Sequence, residues 1–192
     1  MSGILGLWAL LLQSAVKPHE AILFESVFEQ RYDYSCGIAS LSSLVSLYWG
    51  YEASEDMLLG LAPDAGGRDG PNTLSLNDLL VVTELLGFTA GGFMLTYDQL
   101  LLAAEEYGPL VVHLAEREGH FVLFLGEVNG YAVIADPSRG CFAVPRNEFL
   151  DSWTKAALAA YHPQRSVYSA RTHRVISDAA NRIEMLRSWL LQ

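Results

Sequence analysis

Cysteine is scarce in this 192-residue chain, where Cys36 and Cys141 are the only two. A disulfide framework is therefore excluded, and so is a zinc site built on CxxC or Cys/His spacing. Positive charge is also in short supply. Twelve Lys and Arg against 22 Asp and Glu give a formal net charge of −10, which argues against a general nucleic-acid binder because phosphates are repelled. No apolar run has the length of a membrane span. The run from Ile4 to Leu12 has instead the length of the apolar part of a secretory signal, although no Lys or Arg precedes it and the small-x-small pattern around Ser14 and Ala15 is poor. Residues 1–18 are accordingly expected to be a signal-like apolar segment, and the protein to be periplasmic or exported. Repeats and low-complexity tracts are missing too, while 51% hydrophobic residues leave ample material for one core.

Along the chain, the residues from Ala21 to Phe28 read as a strand. A helix is expected from Cys36, with Leu41, Leu44, Val45 and Tyr48 on one face and Gly50 at its end. Further helices are predicted over Ser54–Leu61, over Ser75–Leu86, and from Thr96 to Gly108-Pro109, the last opened by a Thr96/Gln99 capping box. APDAGGRDGPN between them is dense in Gly, Pro and Asp and reads as loop. The second half changes character. Leu110–Leu114, His120–Leu125, Tyr131–Ala135 and Cys141–Val144 are short β-type runs, with Asn129-Gly130 as a hairpin turn and a short helix from Pro145 to Trp153. Helices followed by an antiparallel sheet predict an α+β domain over residues 19–162. Residues 163–192 are expected to form an amphipathic tail, helical from about Val175 to Leu191 and bearing Arg174, Arg182 and Arg187.

Chemistry concentrates on Cys36. A thiol attacks as thiolate, which needs a helix N-terminus or a neighbouring imidazolium, and Cys36 opens its helix. Of the five histidines, His120 has the best geometry for the base. Pairing Gly126 with Tyr131 sets Asp136 opposite Phe121, so His120 and Asp136 fall at the same end of two neighbouring strands. A carboxylate there would fix the imidazole tautomer and stabilise the imidazolium. Gln30, six residues before the cysteine, could donate its side-chain amide to the oxyanion formed on attack at a carbonyl, beside the Cys36 N–H.

The order Gln30, Cys36-Gly37, His120-Phe121-Val122 and Asp136-Pro137, followed by Phe149 and Trp153, resembles the bacteriocin-processing, double-glycine cysteine peptidases. The resemblance runs from about Phe24 to His162. It implies a papain-like fold, no cofactor or metal, and cleavage of a protein or peptide substrate after Gly-Gly. The chain is more similar to stand-alone exported members, in which YDYSCG is a typical cysteine motif, than to exporter-fused ones, which usually have Asp where Ser35 stands. Some stand-alone relatives accompany functional-amyloid secretion systems of the Fap type. By that resemblance the substrate would be a secreted amyloid component or leader peptide, and the C-terminal helix could meet a secretion apparatus. One departure concerns the substrate cleft: the family's small Gly after the late Trp is replaced by Thr154-Lys155.

Blander readings compete with these. A cysteine is most often a core residue, Asp136-Pro137 could be a plain strand-ending turn, and Gln30 a surface residue. His113 is expected to be packed or at a rim, His19, His162 and His173 solvated, and Cys141 a bystander. Gly66-Gly67 and Gly91-Gly92 read as ordinary loop glycines. Two other functions compete: a non-cleaving binding module or chaperone for an export substrate, against which the retained Cys36 argues, and a papain-like acyltransferase that uses the same residues to deliver the acyl group to an amine.

Overall fold

The computed structural model describes residues 23–62, 74–116, 119–164, 166 and 169–190. Residues 1–18, His19 and Gly66-Gly67 lie outside them.

Among the described residues, three helices with stated bounds precede the first strand. Helix α1, Cys36–Ser43, continues as a π-helical turn over Leu44–Tyr48 and ends at Gly50, as expected. Helix α2, Glu55–Leu61, is capped by the Ser54 side chain, and α3, Leu76–Leu85, by a Ser75/Asp78 capping box. Strand β1, Thr89–Met94, leads into α4, Tyr97–Tyr107, whose start carries the predicted Thr96/Gln99 box. The remaining elements are β2 (Leu110–Leu114), β3 (His120–Val128), β4 (Tyr131–Asp136), β5 (Gly140–Pro145), α5 (Arg146–Ser152), β6 (Trp153–Tyr161) and α6 (Ser169–Leu190).

All strand pairs are antiparallel, in the order β1-β6-β2-β3-β4-β5. Because side chains alternate along a strand, the sheet has two apolar faces. Val111, Phe121, Leu123 and Val133 pack with Ile38, Leu41, Leu58, Leu79 and Ala179, so α1, α2, α3 and α6 cover one face. Val112, Val122, Phe124 and Ile134 pack with Leu100, Ala104 and Phe149, so α4 and α5 cover the other.

Two strands were not foreseen. β1 (TAGGFM) is rich in Gly and β6 (WTKAALAAY) in Ala, residues depleted from strands. They pair with each other, Gly91 with Ala159 and Gly92 with Leu158, so Gly91-Gly92 lies in the sheet and not in a loop. The strand expected at Ala21–Phe28 is not formed where described, since residues 24–27 are turn and bend. Its backbone groups are taken by side chains of the first helix: Tyr48 donates to the Ser26 carbonyl at 2.8 Å, and Phe28 N–H donates to Ser43 Oγ at 2.8 Å. The C-terminal helix begins at Ser169, before the Val175 expected, and buries Thr172, Ala179 and Ile183.

The β3–β4 register also differs from the expected one. Val128 pairs with Tyr131 across Asn129-Gly130, and Gly126 with Val133, but Phe124 pairs with Ile134 and Leu123 with Ala135. The extra residue is a bulge at Leu125. It restores the face parity that places Asp136 level with Val122, diagonal to His120. Pairing Asp136 with Phe121 would have turned the carboxylate to the opposite face of the sheet from His120, because a one-residue slip flips every side chain.

Candidate active site

Cys36 begins α1, and Ser35, the residue before it, makes no side-chain cap. The first-turn N–H groups are thus left free of a side-chain acceptor beside the sulfur. The loop leading in is held by α2: the buried Glu55 carboxylate accepts the Arg31 N–H at 3.1 Å, and Asp56 binds the Arg31 guanidinium and accepts from the Tyr32 hydroxyl. Ser35 Oγ donates to the Tyr32 carbonyl at 2.8 Å, which tightens the turn just before the cysteine. Gly37 lets the helix approach closely, since a β-carbon there would lie 3.0 Å from Leu79 Cδ1 and 3.1 Å from Phe121 Cδ2. Ser40 Oγ donates to the Phe121 carbonyl at 3.1 Å and pins α1 to β3.

His120, at the start of β3, is where the sheet meets this helix end. Its Nε2 lies 3.0 Å from Asp136 Oδ1, and the Asp136 side chain is fully buried. Nδ1 is left free of Asp136, and the Cys36 thiol lies near enough to the ring for each group to shift the other's titration. The Phe121 N–H also points at Cys36 Sγ, at 3.5 Å. The buried carboxylate is satisfied by residues that follow it directly. Ser138 N–H and Oγ reach Oδ1 at 2.7 and 2.8 Å, and Arg139 Nε donates to Oδ2 at 2.5 Å while its other end ion-pairs with Glu116.

The charges follow from these contacts. Burial would raise the Cys36 pKa, but hydrogen bonds from His120 and Phe121 N–H, the imidazolium charge and the Gly37 N–H outweigh it and hold the thiol below its ordinary value. Burial would lower that of His120, yet Asp136 and Cys36 together raise it to about 9. Burial likewise works against ionisation of Asp136, but His120, Ser138 and Arg139 hold the carboxyl well below the usual range. Both shifts run in the direction that favours a thiolate beside an imidazolium, next to a carboxylate.

Gln30 is half-buried. Its N–H donates to the Pro137 carbonyl at 2.9 Å, which ties the segment before the cysteine to the turn after Asp136. Its side-chain Nε2 donates to the Tyr32 carbonyl at 2.9 Å, leaving one amide hydrogen unassigned. Cys36 opens onto a groove of about 330 Å³ lined by Tyr34, Leu76, His113, Gly119 and Phe121 among others. Among the described residues no group of three or more His, Cys, Asp or Glu is arranged to hold a metal ion.

The peptidase C39 family model matches residues 25–165, most of the chain. The chain belongs to this family. It is a papain-like cysteine peptidase, and the helix-plus-antiparallel-sheet architecture agrees with solved C39 domains. The peptidase domain of Streptococcus ComA, a bifunctional ABC transporter, has the same fold at a TM-score of 0.61 and 21% identity, covering 71% of this chain and 98% of that one. A C39-like peptidase from Bacillus anthracis gives a TM-score of 0.54 at 17% identity, covering 71% and 94%. A double-glycine motif protease from an AMS/PCAT transporter, solved with a leader peptide, gives 0.53 at 24% identity, covering 70% and 89%. Among sequences, the probable functional amyloid protease FapD of Pseudomonas fluorescens is 29% identical over 168 residues, 79% of this chain and 72% of that protein. The Pseudomonas aeruginosa protein of the same name is 27% identical over 143 residues, 71% of this chain and 60% of that one.

Lys155 has φ 71, the left-handed conformation in which a glycine is unstrained. Ser138, Arg139 and Glu116 were missed in the sequence. Asp-x-Ser is an ordinary side-chain-to-backbone turn, and that signal was available. His113, expected to be packed or at a rim, lines the groove, and His162 stacks edge-on against Phe88 at 4.8 Å in place of standing in solvent. Cys141 is a second free thiol, pushed up to about 11 mainly by burial.

Proposed function

We propose that Cys36 is the nucleophile of a cysteine endopeptidase, His120 its acid and base, Asp136 the group that orients the imidazole, and Gln30 an oxyanion donor. The observation that carries this reading is that Cys36 Sγ lies against the N–H of Phe121, the residue next to His120, while His120 Nε2 meets the buried Asp136 carboxylate at 3.0 Å. The thiolate attacks a peptide carbonyl carbon. Negative charge on the carbonyl oxygen is met by the Cys36 N–H and the remaining Gln30 amide hydrogen. The imidazolium then protonates the leaving amine, and the neutral imidazole takes a proton from the water that hydrolyses the thioester.

The bond cut follows a small residue, in particular the second glycine of a pair. A groove bounded by His113, Gly119 and Phe121 beside Cys36 favours a backbone without β-carbons. The FapD relatives support an exported protein, such as a functional-amyloid component, as the substrate, and the apolar run Ile4–Leu12 supports export of the enzyme itself. The outward face of α6, with Arg174 and Arg182 exposed, is where a secretion apparatus would dock.

Incubating the purified protein with glycine-pair peptides beside Cys36→Ala tests the reading. Cleavage after the glycine pair by the native protein and none by the variant is expected. Equal cleavage by both would remove Cys36 from the mechanism.

A further inference from the structure

A second histidine stands in the groove. His113 lies on β2 opposite Phe121, at a bulge that interrupts the β2–β6 ladder between Val112 and Leu114. Thr154 of β6 fills the irregularity: its hydroxyl donates to the His113 carbonyl at 3.0 Å, and its Oγ1 lies 3.2 Å from His113 Nδ1. A threonine hydroxyl has a single proton. With that proton on the carbonyl, Oγ1 is an acceptor towards the ring, so Nδ1 must carry the imidazole hydrogen. Nε2 is then left with a lone pair.

Nε2 faces the groove. No residue among those described hydrogen-bonds to it, and it is not among the buried polar atoms lacking a partner. Gly119 leaves it room, because a β-carbon there would stand 2.5 Å from Nε2. Burial, then the charge on His120, holds the His113 pKa below its ordinary value, so the ring stays neutral beside the ion pair.

We infer that His113 is a substrate-binding residue, whose Nε2 accepts a hydrogen bond from a backbone N–H of the peptide lying in the groove, and that Thr154 is the positioning residue that fixes its tautomer. The inference rests on the proposed cleavage at Cys36. An extended peptide presents a backbone donor at every residue, whereas a glycine pair has no side chain to hold. A fixed acceptor in the wall is thus a means of gripping main chain alone.

The test uses steady-state kinetics on a glycine-pair peptide and on a series in which each backbone amide in turn is replaced by an ester, which removes one donor. For His113→Met, KM should rise about five- to tenfold with kcat nearly unchanged, the expected cost of one neutral hydrogen bond that acts equally in ground and transition states. His113→Gln, which keeps an acceptor oxygen, should recover part of the loss, and Thr154→Val should raise KM with His113 intact. One ester position should weaken binding to the native enzyme and have no further effect in His113→Met. The inference is overturned if the His113→Met change falls on kcat with KM unaltered, or if every ester costs both enzymes the same. Failure of the native protein to cut any of the peptides would instead overturn the cleavage reading, and this inference would fall with it.

Discussion

His120 and Asp136 stand on a diagonal across β3 and β4, with Nε2 3.0 Å from Oδ1, and the Leu125 bulge sets them on one face. Oδ1 receives Ser138 N–H, Ser138 Oγ and His120, while Oδ2 receives Arg139. Every position around the carboxylate is therefore a donor. In Asp136→Asn an amide –NH2 must face one of them, and the imidazole loses its anionic partner. We expect kcat/KM on a glycine-pair peptide to fall by roughly two to four orders of magnitude, measured with the variant shown to be folded by circular dichroism. A change under threefold would contradict the role given to Asp136.

Activity should follow a bell in pH. The acid limb reports formation of the Cys36 thiolate, below the ordinary thiol value, and the alkaline limb loss of the imidazolium near 9. Stability follows the same groups with opposite signs. His120 has a raised folded-state pKa, so its contribution is complete below its unfolded value of about 6.5 and is lost as pH rises through about 9. Asp136 is depressed, so its contribution is present above the usual carboxylate range and is lost as pH falls through its folded value. Near neutrality the His120 loss is offset by Cys36, whose depressed thiol gains stability over the same range, so thermal denaturation should show Tm nearly level there and falling in acid as Asp136 is protonated; a Tm unchanged from neutrality down to pH 2 would contradict the role of the buried carboxylate.

Arg139→Gln should act more mildly. The guanidinium is 45% exposed, so solvent screens it, and the loss at neutral pH should stay near or below about 1 kcal/mol. Its effect should appear in acid, where Asp136 loses one of the groups that depress it and the acid-unfolding midpoint moves to higher pH. An unchanged midpoint would show that Arg139 does not act on the carboxylate.

The helices were legible because their signals are local. Ser75 with Asp78 and Thr96 with Gln99 announce their caps within four residues, and Asn129-Gly130 announces its turn. The partners of Cys36 were legible as residue types in order, but their register was not. The Leu125 bulge depends on packing, with both Leu125 and Gly126 turned toward the face covered by α1, α2, α3 and α6, and Gly126 closely covered by Ile176 of α6. β1 and β6 were hidden for a related reason. Gly91-Gly92 and the alanines of β6 have little strand propensity of their own and are extended because each supplies the other's hydrogen bonds and α3 packs over them. His113 is read from the sequence as packed or at a rim, which agrees with its half-buried place in the groove, but its contact with Thr154, 41 residues away, has no local signal.

Gly37 links packing to the site. In Gly37→Ala the new methyl meets Leu79 and Phe121 at 3.0 and 3.1 Å, so α1 must shift from β3 or the neighbours must give way. Overpacking of this kind costs about 1–3 kcal/mol. Urea denaturation should show that loss, accompanied by reduced kcat/KM because the sulfur moves with the helix. A variant as stable and active as the native protein would contradict the close approach.

The most direct measurement is the pH dependence of alkylation at each cysteine, followed by mass spectrometry with iodoacetamide. Cys36 should be modified rapidly near pH 6.5, with a thiolate midpoint well below the ordinary value of about 8.5 that moves up in His120→Ala, whereas Cys141 should react only as pH nears its raised value of about 11. If Cys36 titrated as an ordinary thiol, or its profile were unchanged by removing His120, the ion pair on which the mechanism depends would not exist.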